Sequence, residues 1–196
     1  GRPGPVLIDI VKNVTAEKAE YEPLPREEHI HSGRLANLTR RARTSSLKMP
    51  EPNQEDVNKL VEMIAQSKKP MLICGGGVVR SRSHEEVREF ARRIDAPVAI
   101  TLMGAGGIAG RDPLATGMIG MHGSKASNMA CDGCDLLIAV GCRFSDRVAL
   151  NPKTFAKNAT IIQIDIDPSE LGKNVEVDLS IVGDAAYVLN AMLPQI

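Results

Sequence analysis

Tryptophan is absent from this chain, and two tyrosines and three phenylalanines are its only aromatic residues. So few rings can neither stack a row of bases nor dominate an interface core, so the core has to be aliphatic. An excess of one charge is also missing, because 24 Lys+Arg balance 24 Asp+Glu. A chain that lived on phosphate backbones would be basic, so no nucleic-acid partner is expected. Cysteine is scarce: Cys74, Cys131, Cys134 and Cys142 are too few for a disulfide scaffold. Cys74 and Cys142 lie in or beside apolar runs, where free thiols behave as small hydrophobes. No run of 18 apolar residues exists to cross a membrane, and Gly1-Arg2-Pro3-Gly4-Pro5 does not read as a signal peptide. These absences point to a cytoplasmic protein without membrane contact, and to a piece of a longer one.

What the chain does have is apolar residues, 43% of its 196. A chain of this length can bury roughly 70% of its unfolded surface without metals or disulfides. Residues 1–20 read as a short strand, Pro5-Val6-Leu7-Ile8-Asp9, and a polar stretch. Residues 21–52 are framed by Pro23, Pro25, Pro50 and Pro52 and lack apolar periodicity, so they read as a linker with a solvated basic run. From Asn53 to Ile196 the signals sharpen. Asn53 can cap a helix whose Val57, Leu60, Val61, Ile64 and Ala65 share one face. Ser83 and Glu86 have capping-box spacing ahead of Val87, Phe90, Ala91 and Ile94, a helix is expected near 124–130, and Asp184 can cap a last helix ending about Leu193. Between these lie five apolar runs at 70–74, 97–101, 135–140, 161–166 and 177–182. Short apolar strands alternating with helices predict an α/β fold, a parallel sheet of five to six strands with helices on both faces, Rossmann-like in type.

In such a sheet ligands bind beyond the carboxyl ends of the strands. Those ends carry Gly75-Gly76-Gly77, Thr101-Leu102-Met103-Gly104, Gly141-Cys142-Arg143, Asp165-Ile166-Asp167-Pro168 and Gly183-Asp184. Each has two readings. The glycine triplet is either a tight strand-to-helix turn or a cradle for phosphate, and it lacks the G-x-G-x-x-G spacing of an NAD fingerprint. Asp165, Asp167 and Asp184 can each accept ribose hydroxyls, and Asp184 can equally serve as a helix cap. Arg143 and Arg147 flank Ser145-Asp146, fit to grip phosphate or carboxylate, or simply to form a loop ion pair. Met121 and His122 can pack against and donate to a flat ring, or only pack their loop. Five rim segments together suggest a nucleotide. Cys131-x-x-Cys134 has no second pair to complete a zinc site, and no metal site, Ser-His-Asp set or glycine-lysine phosphate loop is found.

Taken together, these segments resemble the central domain of the acetolactate synthase (acetohydroxyacid synthase) family, within the thiamine-diphosphate enzyme superfamily. The matching residues are Gly1-Arg2-Pro3-Gly4-Pro5-Val6 with Asp9 and Lys12, the triplet 75–77, Thr101–Gly104, Gly117-Met118-Ile119-Gly120-Met121-His122-Gly123, Gly141–Val148, Ile164–Pro168 and Gly183-Asp184. The resemblance implies that 1–20 end a pyrimidine-binding domain, 21–52 link, and 53–196 form the central domain. It implies a parent transferase that decarboxylates pyruvate and joins the two-carbon unit to pyruvate or 2-oxobutyrate, at the start of branched-chain amino-acid synthesis. Thiamine diphosphate and Mg²⁺ would be bound by flanking domains absent here, leaving this chain inactive alone, while FAD without a net redox role would sit in this domain. By resemblance the flavin positions are Arg2, Gly75, Gly76, Gly77, Thr101, Leu102, Met121, His122, Gly141, Arg143, Asp165, Ile166 and Asp184. Arg147 matches the arginine that receives the second ketoacid's carboxylate, and Lys12, Met121 and Asp146 match positions along the substrate channel. Ser145 stands where flavin-binding members usually carry aspartate, and Val11 and Asn13 where they carry proline and aspartate. A flavin-free thiamine-diphosphate enzyme and a stand-alone nucleotide-binding module are the alternatives. A dimeric or tetrameric parent with a regulatory subunit is also implied.

Overall fold

Helix α1 (Gln54–Gln66) starts as its sequence predicts: the Asn53 side chain accepts the Glu55 amide at 3.0 Å, and Val57 and Leu60 are buried. The structure, a computed structural model, describes Lys18 and residues 51–196, and the latter belong to one compact unit. The expected strand at 5–9, the bulk of the linker, Arg2, Lys12, Val11 and Asn13 lie outside the described residues.

The remaining elements run β1 (Pro70–Cys74), α2 (Gly76–Ser81), α3 (His84–Arg93), β2 (Val98–Ile100), β3 (Ala115–Met118), α4 (Lys125–Gly133), β4 (Leu136–Val140), β5 (Thr160–Asp165), β6 (Leu179–Val182) and α5 (Ala185–Met192). All strand pairs are parallel, in the order β3-β2-β1-β4-β5-β6. This is the doubly wound order of dinucleotide-binding sheets, whose switch point lies between β1 and β4. It arises without the glycine fingerprint that usually accompanies it.

The central strands β1 and β4 are buried apart from Pro70 at the start of β1, which is why they read as unbroken apolar runs. Odd and even positions feed two cores. Leu72, Cys74, Ile138, Val140, Ile162 and Ile164 pack with α1, α2, α3 and α5 on one face. Met71, Ile73, Leu137 and Ala139 pack on the other with α4 and the irregular segment that holds Phe144, Val148, Ala149 and Ala156. Each fully buried Leu or Ile contributes about 1.5–3 kcal/mol, so the aliphatic core is sufficient without tryptophan. The second face is covered by one helix and by loop. Phe144 and Phe155 meet there edge to face with centroids 5.6 Å apart, a pair that pins the loop.

Three local expectations are corrected. The glycine triplet is the strand-to-helix turn of its first reading, but it opens a separate short helix, α2, which Arg82 closes in the left-handed region ahead of Ser83. Ser83 precedes α3 but makes no capping bond, because its hydroxyl turns back to the Val78 carbonyl and the Ser81 hydroxyl. Between Gly104 and Gly123, where none of the five apolar runs falls, lies edge strand β3, which pairs with β2 across a register shift.

Candidate functional site

Parallel strands bring every carboxyl end to one edge, so the segments at 75–77, 101–104, 119–123, 141–143, 166–168 and 183–184 share a rim. Its floor is glycine on glycine. The Gly75 amide donates to Val140 (2.9 Å), the Gly77 amide to Gly141 (3.1 Å) and the Gly141 amide to Ile164 (2.7 Å). A Cβ on Gly75 would lie 2.0 Å from the Gly141 oxygen, and one on Gly77 2.5 Å from the Gly141 Cα. Gly75 and Gly77 therefore have a structural reason to be glycine. At Gly76 a Cβ would meet only Met103, at 3.2 Å.

On this floor stands an uncovered apolar ledge. Thr101 is buried, and its hydroxyl accepts the Gly104 amide to turn the chain after β2. Leu102 is thereby 76% exposed and Met103 66%. At the exit of β3, the strand beside β2, Met121 is 42% exposed and His122 lies open. Burial of such side chains is favourable, so a ledge of three is a surface suited to a ligand or a neighbouring domain.

The polar groups are arranged around it. Arg143 is exposed, and its carbonyl accepts the Asn174 side chain at 2.7 Å. Phe144, with φ 49°, is buried beside it, so the chain turns sharply between Arg143 and the turn that carries Arg147. Arg147 and Asp146 are largely exposed and 3.7 Å apart, a pairing worth little in water. The Met121 amide donates to the Arg147 carbonyl (2.9 Å), and the Arg147 Nη1 lies 3.9 Å from the Met121 Sδ. Two residues 26 positions apart are thus brought together at the rim. Asp165 is buried and its carboxylate accepts the Asp167 amide; Asp167 caps the turn at 168–170; Ile166 is half-buried between them. Asp184 caps α5 by accepting the Ala186 amide, as its position predicts.

Three amides that hold the rim carry no signal in one dimension. Gln163, buried inside β5, donates to the carbonyls of Cys142 (3.0 Å) and Glu170 (3.1 Å) and accepts the Gly172 amide (2.9 Å), tying the β4 and β5 exits together. Asn174 supports Arg143. Asn128, on α4, brackets Gly120 by accepting its amide (3.0 Å) and donating to its carbonyl (3.1 Å). A strand glutamine or a helix asparagine looks like any polar residue until its partners are in view.

Residues 57–192 match the family described as thiamine pyrophosphate enzyme, central domain. The chain belongs to this family. A probable acetolactate synthase large subunit of Methanococcus aeolicus is 41% identical over 196 residues, covering 100% of this chain and 31% of the relative. Another, from Methanocaldococcus jannaschii, is 44% identical over 193 residues, 98% of this chain and 31% of its own length. The acetolactate synthase large subunit of Parasynechococcus marenigrum is 40% identical over 194 residues, 98% and 29% respectively. The chain thus spans about a third of the length of the curated relatives it matches.

The rest of this thiamine pyrophosphate enzyme central domain offers little competing chemistry. Cys131 and Cys134 are buried free thiols, and burial foremost pushes them up to about 12 and about 11. The Cys134 thiol donates to the Cys131 carbonyl, so the pair packs α4. Among the described residues no cluster of His, Cys, Asp or Glu could hold a metal ion, and no helix is long and apolar enough to cross a membrane. A groove of about 430 Å³ between Ser67, Lys68, Pro70, Arg93, Ile94 and Asp95 lies at the opposite edge of the sheet, away from the rim. Its Arg93 is engaged by the carbonyls of Leu193 and Ile196.

Proposed function

We propose that this chain is the flavin-holding central domain of an acetolactate synthase large subunit. The full-length protein would join the two-carbon unit of pyruvate to a second pyruvate or to 2-oxobutyrate, in branched-chain amino-acid synthesis. The observation that carries this reading is the pairing of Arg147 with Met121 on the exposed rim, which joins the exits of β3 and β4. The relatives' names, over the whole chain, support it.

The residues present fit FAD. The ledge of Leu102, Met103 and Met121 offers a flat ring an apolar surface that the described chain does not cover, and the exposed Arg143 and His122 would supply donors from the same rim. Gly76, Gly77 and Gly141 present main chain without side chains, Thr101 sets the ledge, and Asp165, Ile166 and Asp184 form the far rim. When bound, FAD supplies a flat ring system and no net redox change. Arg147 is the group that would receive the acceptor ketoacid's carboxylate through its planar donor fork, with Asp146 beside it. Arg2 and Lys12 are assigned to the flavin site and the substrate channel by resemblance alone. Thiamine diphosphate and Mg²⁺ belong to the flanking domains, so this chain by itself is inactive. An oligomeric parent with a regulatory subunit completes the proposal.

Ser145 favours a second reading, a flavin-free thiamine-diphosphate enzyme. It is half-buried, its carbonyl accepts the Val148 and Ala149 amides, and it contributes a hydroxyl where flavin-binding members bring a carboxylate. One assay separates the two. The full-length protein, stripped of flavin and supplied with thiamine diphosphate, Mg²⁺ and pyruvate, is expected to form acetolactate only when FAD is added. Equal rates with and without FAD support the flavin-free enzyme, and no product under either condition contradicts both.

A further inference from the structure

We propose that Asn128 is a positioning residue for the acceptor-binding pair Met121 and Arg147, an inference that rests on the functional reading above. The chain of contacts is short. The Asn128 carboxamide takes up both main-chain groups of Gly120, whose own conformation (φ +96°) is one that other residues rarely adopt. Gly120 is buried against the 147–148 main chain so closely that a Cβ would lie 2.1 Å from the Arg147 oxygen and 2.9 Å from the Val148 Cα. The next residue, Met121, donates its amide to that same oxygen, and its sulfur faces the Arg147 guanidinium. One side chain of α4 thus fixes the turn at 120–121, and that turn fixes the main chain from which Arg147 projects.

Two features make this more than ordinary loop packing. Among the described residues the exposed Arg147 side chain has the still more exposed Asp146 and the Met121 sulfur as its polar contacts, so the main chain sets its direction. The α4 backbone is independently anchored, with Ser124 capping it through the Ser127 amide and bonding the Thr116 carbonyl of β3. Loss of the Asn128 amide should free the turn while leaving the helix in place. Alanine there leaves the buried Gly120 amide without its partner and its carbonyl with the Gly123 amide alone.

The test uses the full-length protein and four forms: wild type, Asn128→Ala, Arg147→Ala and the double variant. The donor step is read as single-turnover CO₂ release from pyruvate, and the acceptor step as the KM for 2-oxobutyrate. Asn128→Ala is expected to raise that KM by about tenfold to a hundredfold, the usual consequence of misplacing a binding group by an ångström, and to leave CO₂ release within about twofold. In the Arg147→Ala background the same change should then add less than about twofold, because the two act as one unit. Multiplying effects, or an equal fall in CO₂ release, would overturn the proposal. Independently of activity, the methyl resonance of Met121, assigned by its loss in Met121→Leu, should shift in Asn128→Ala, and an unmoved resonance overturns it as well. Failure of the functional reading looks different: wild type forms no condensation product, or Arg147→Ala leaves the acceptor KM unchanged.

Discussion

At Gly141 a built Cβ falls 2.4 Å from the Gly77 Cα, and φ is +59°, whereas at Gly76 the nearest contact is the Met103 side chain at 3.2 Å. The two glycines should therefore respond differently to the same substitution. Gly141→Ala combines left-handed strain with a backbone collision and is expected to destabilise the domain by about 3 kcal/mol or more. Gly76→Ala would press the Met103 Cβ at 3.2 Å and its carbonyl oxygen at 3.3 Å, which a shift of a few tenths of an ångström relieves, so it should cost only about 1 kcal/mol or less. Urea unfolding of the two variants checks this, and equal midpoints would contradict it. The cysteines give a second prediction at this scale. Burial pushes Cys74 up to about 12 and Cys142 up to about 11, with Cys131 and Cys134 at about 12 and about 11. At pH 8 a thiol of pKa about 11 is ionised in only about one molecule in a thousand, so the folded domain should resist an aromatic disulfide reagent until it is denatured. Rapid labelling of Cys131 or Cys134 in the folded state would contradict the packing role. Folded pKa values above the unfolded one also mean stability that is fully present below about pH 9, the ordinary thiol range, and lost as pH rises toward 11–12.

Among the elements, β1 and β4 flank the switch point, and their starts are joined by one carboxylate. Asp135 accepts the Ser67 hydroxyl and the amides of Lys68 and Lys69, and the Ser67 bond foremost holds it below the ordinary carboxylate range. A depressed folded value gives stability that is present above about pH 3.8 and lost as pH falls through the folded value. Asp135→Ala should therefore lower the unfolding midpoint at pH 7 by more than it does near pH 2, and a pH-independent difference would contradict the role. The same elements show what can be read from sequence. β1, β4 and β5 are visible because a strand buried on both faces needs an unbroken apolar run. β3 is not, because Ala115-Thr116-Gly117-Met118 is a half-exposed edge that owes its form to pairing with β2. Helix α2 is hidden by its Gly-Gly-Val-Val start, poor in helix propensity, and exists because Gly75 and Gly77 must pack on Gly141. The Asn53 and Asp184 caps were legible since a cap bonds to its own chain two residues on. The rim was legible as segments, because strand ends are. The amides of Gln163, Asn174 and Asn128 were not, since what they join lies 7 to 31 residues away.

For the whole molecule, the flavin site proposed above for a neutral, aromatic-poor chain rests on the sheet order and the rim. The fold puts six strand ends on one edge, closes the floor with glycine main chain and leaves Leu102, Met103 and Met121 uncovered. Flavin on this rim, as proposed, is directly measurable. Full-length protein is to be purified without added cofactor, and its flavin content read from visible absorbance per chain, for wild type, the rim variant Leu102→Glu and the opposite-edge variant Lys68→Ala. About one flavin per chain is expected in wild type and Lys68→Ala, and its loss in Leu102→Glu, since a charge on the ledge would be buried against an apolar ring. A wild-type protein that neither carries nor takes up FAD, or a Leu102→Glu variant as yellow as wild type, would contradict it.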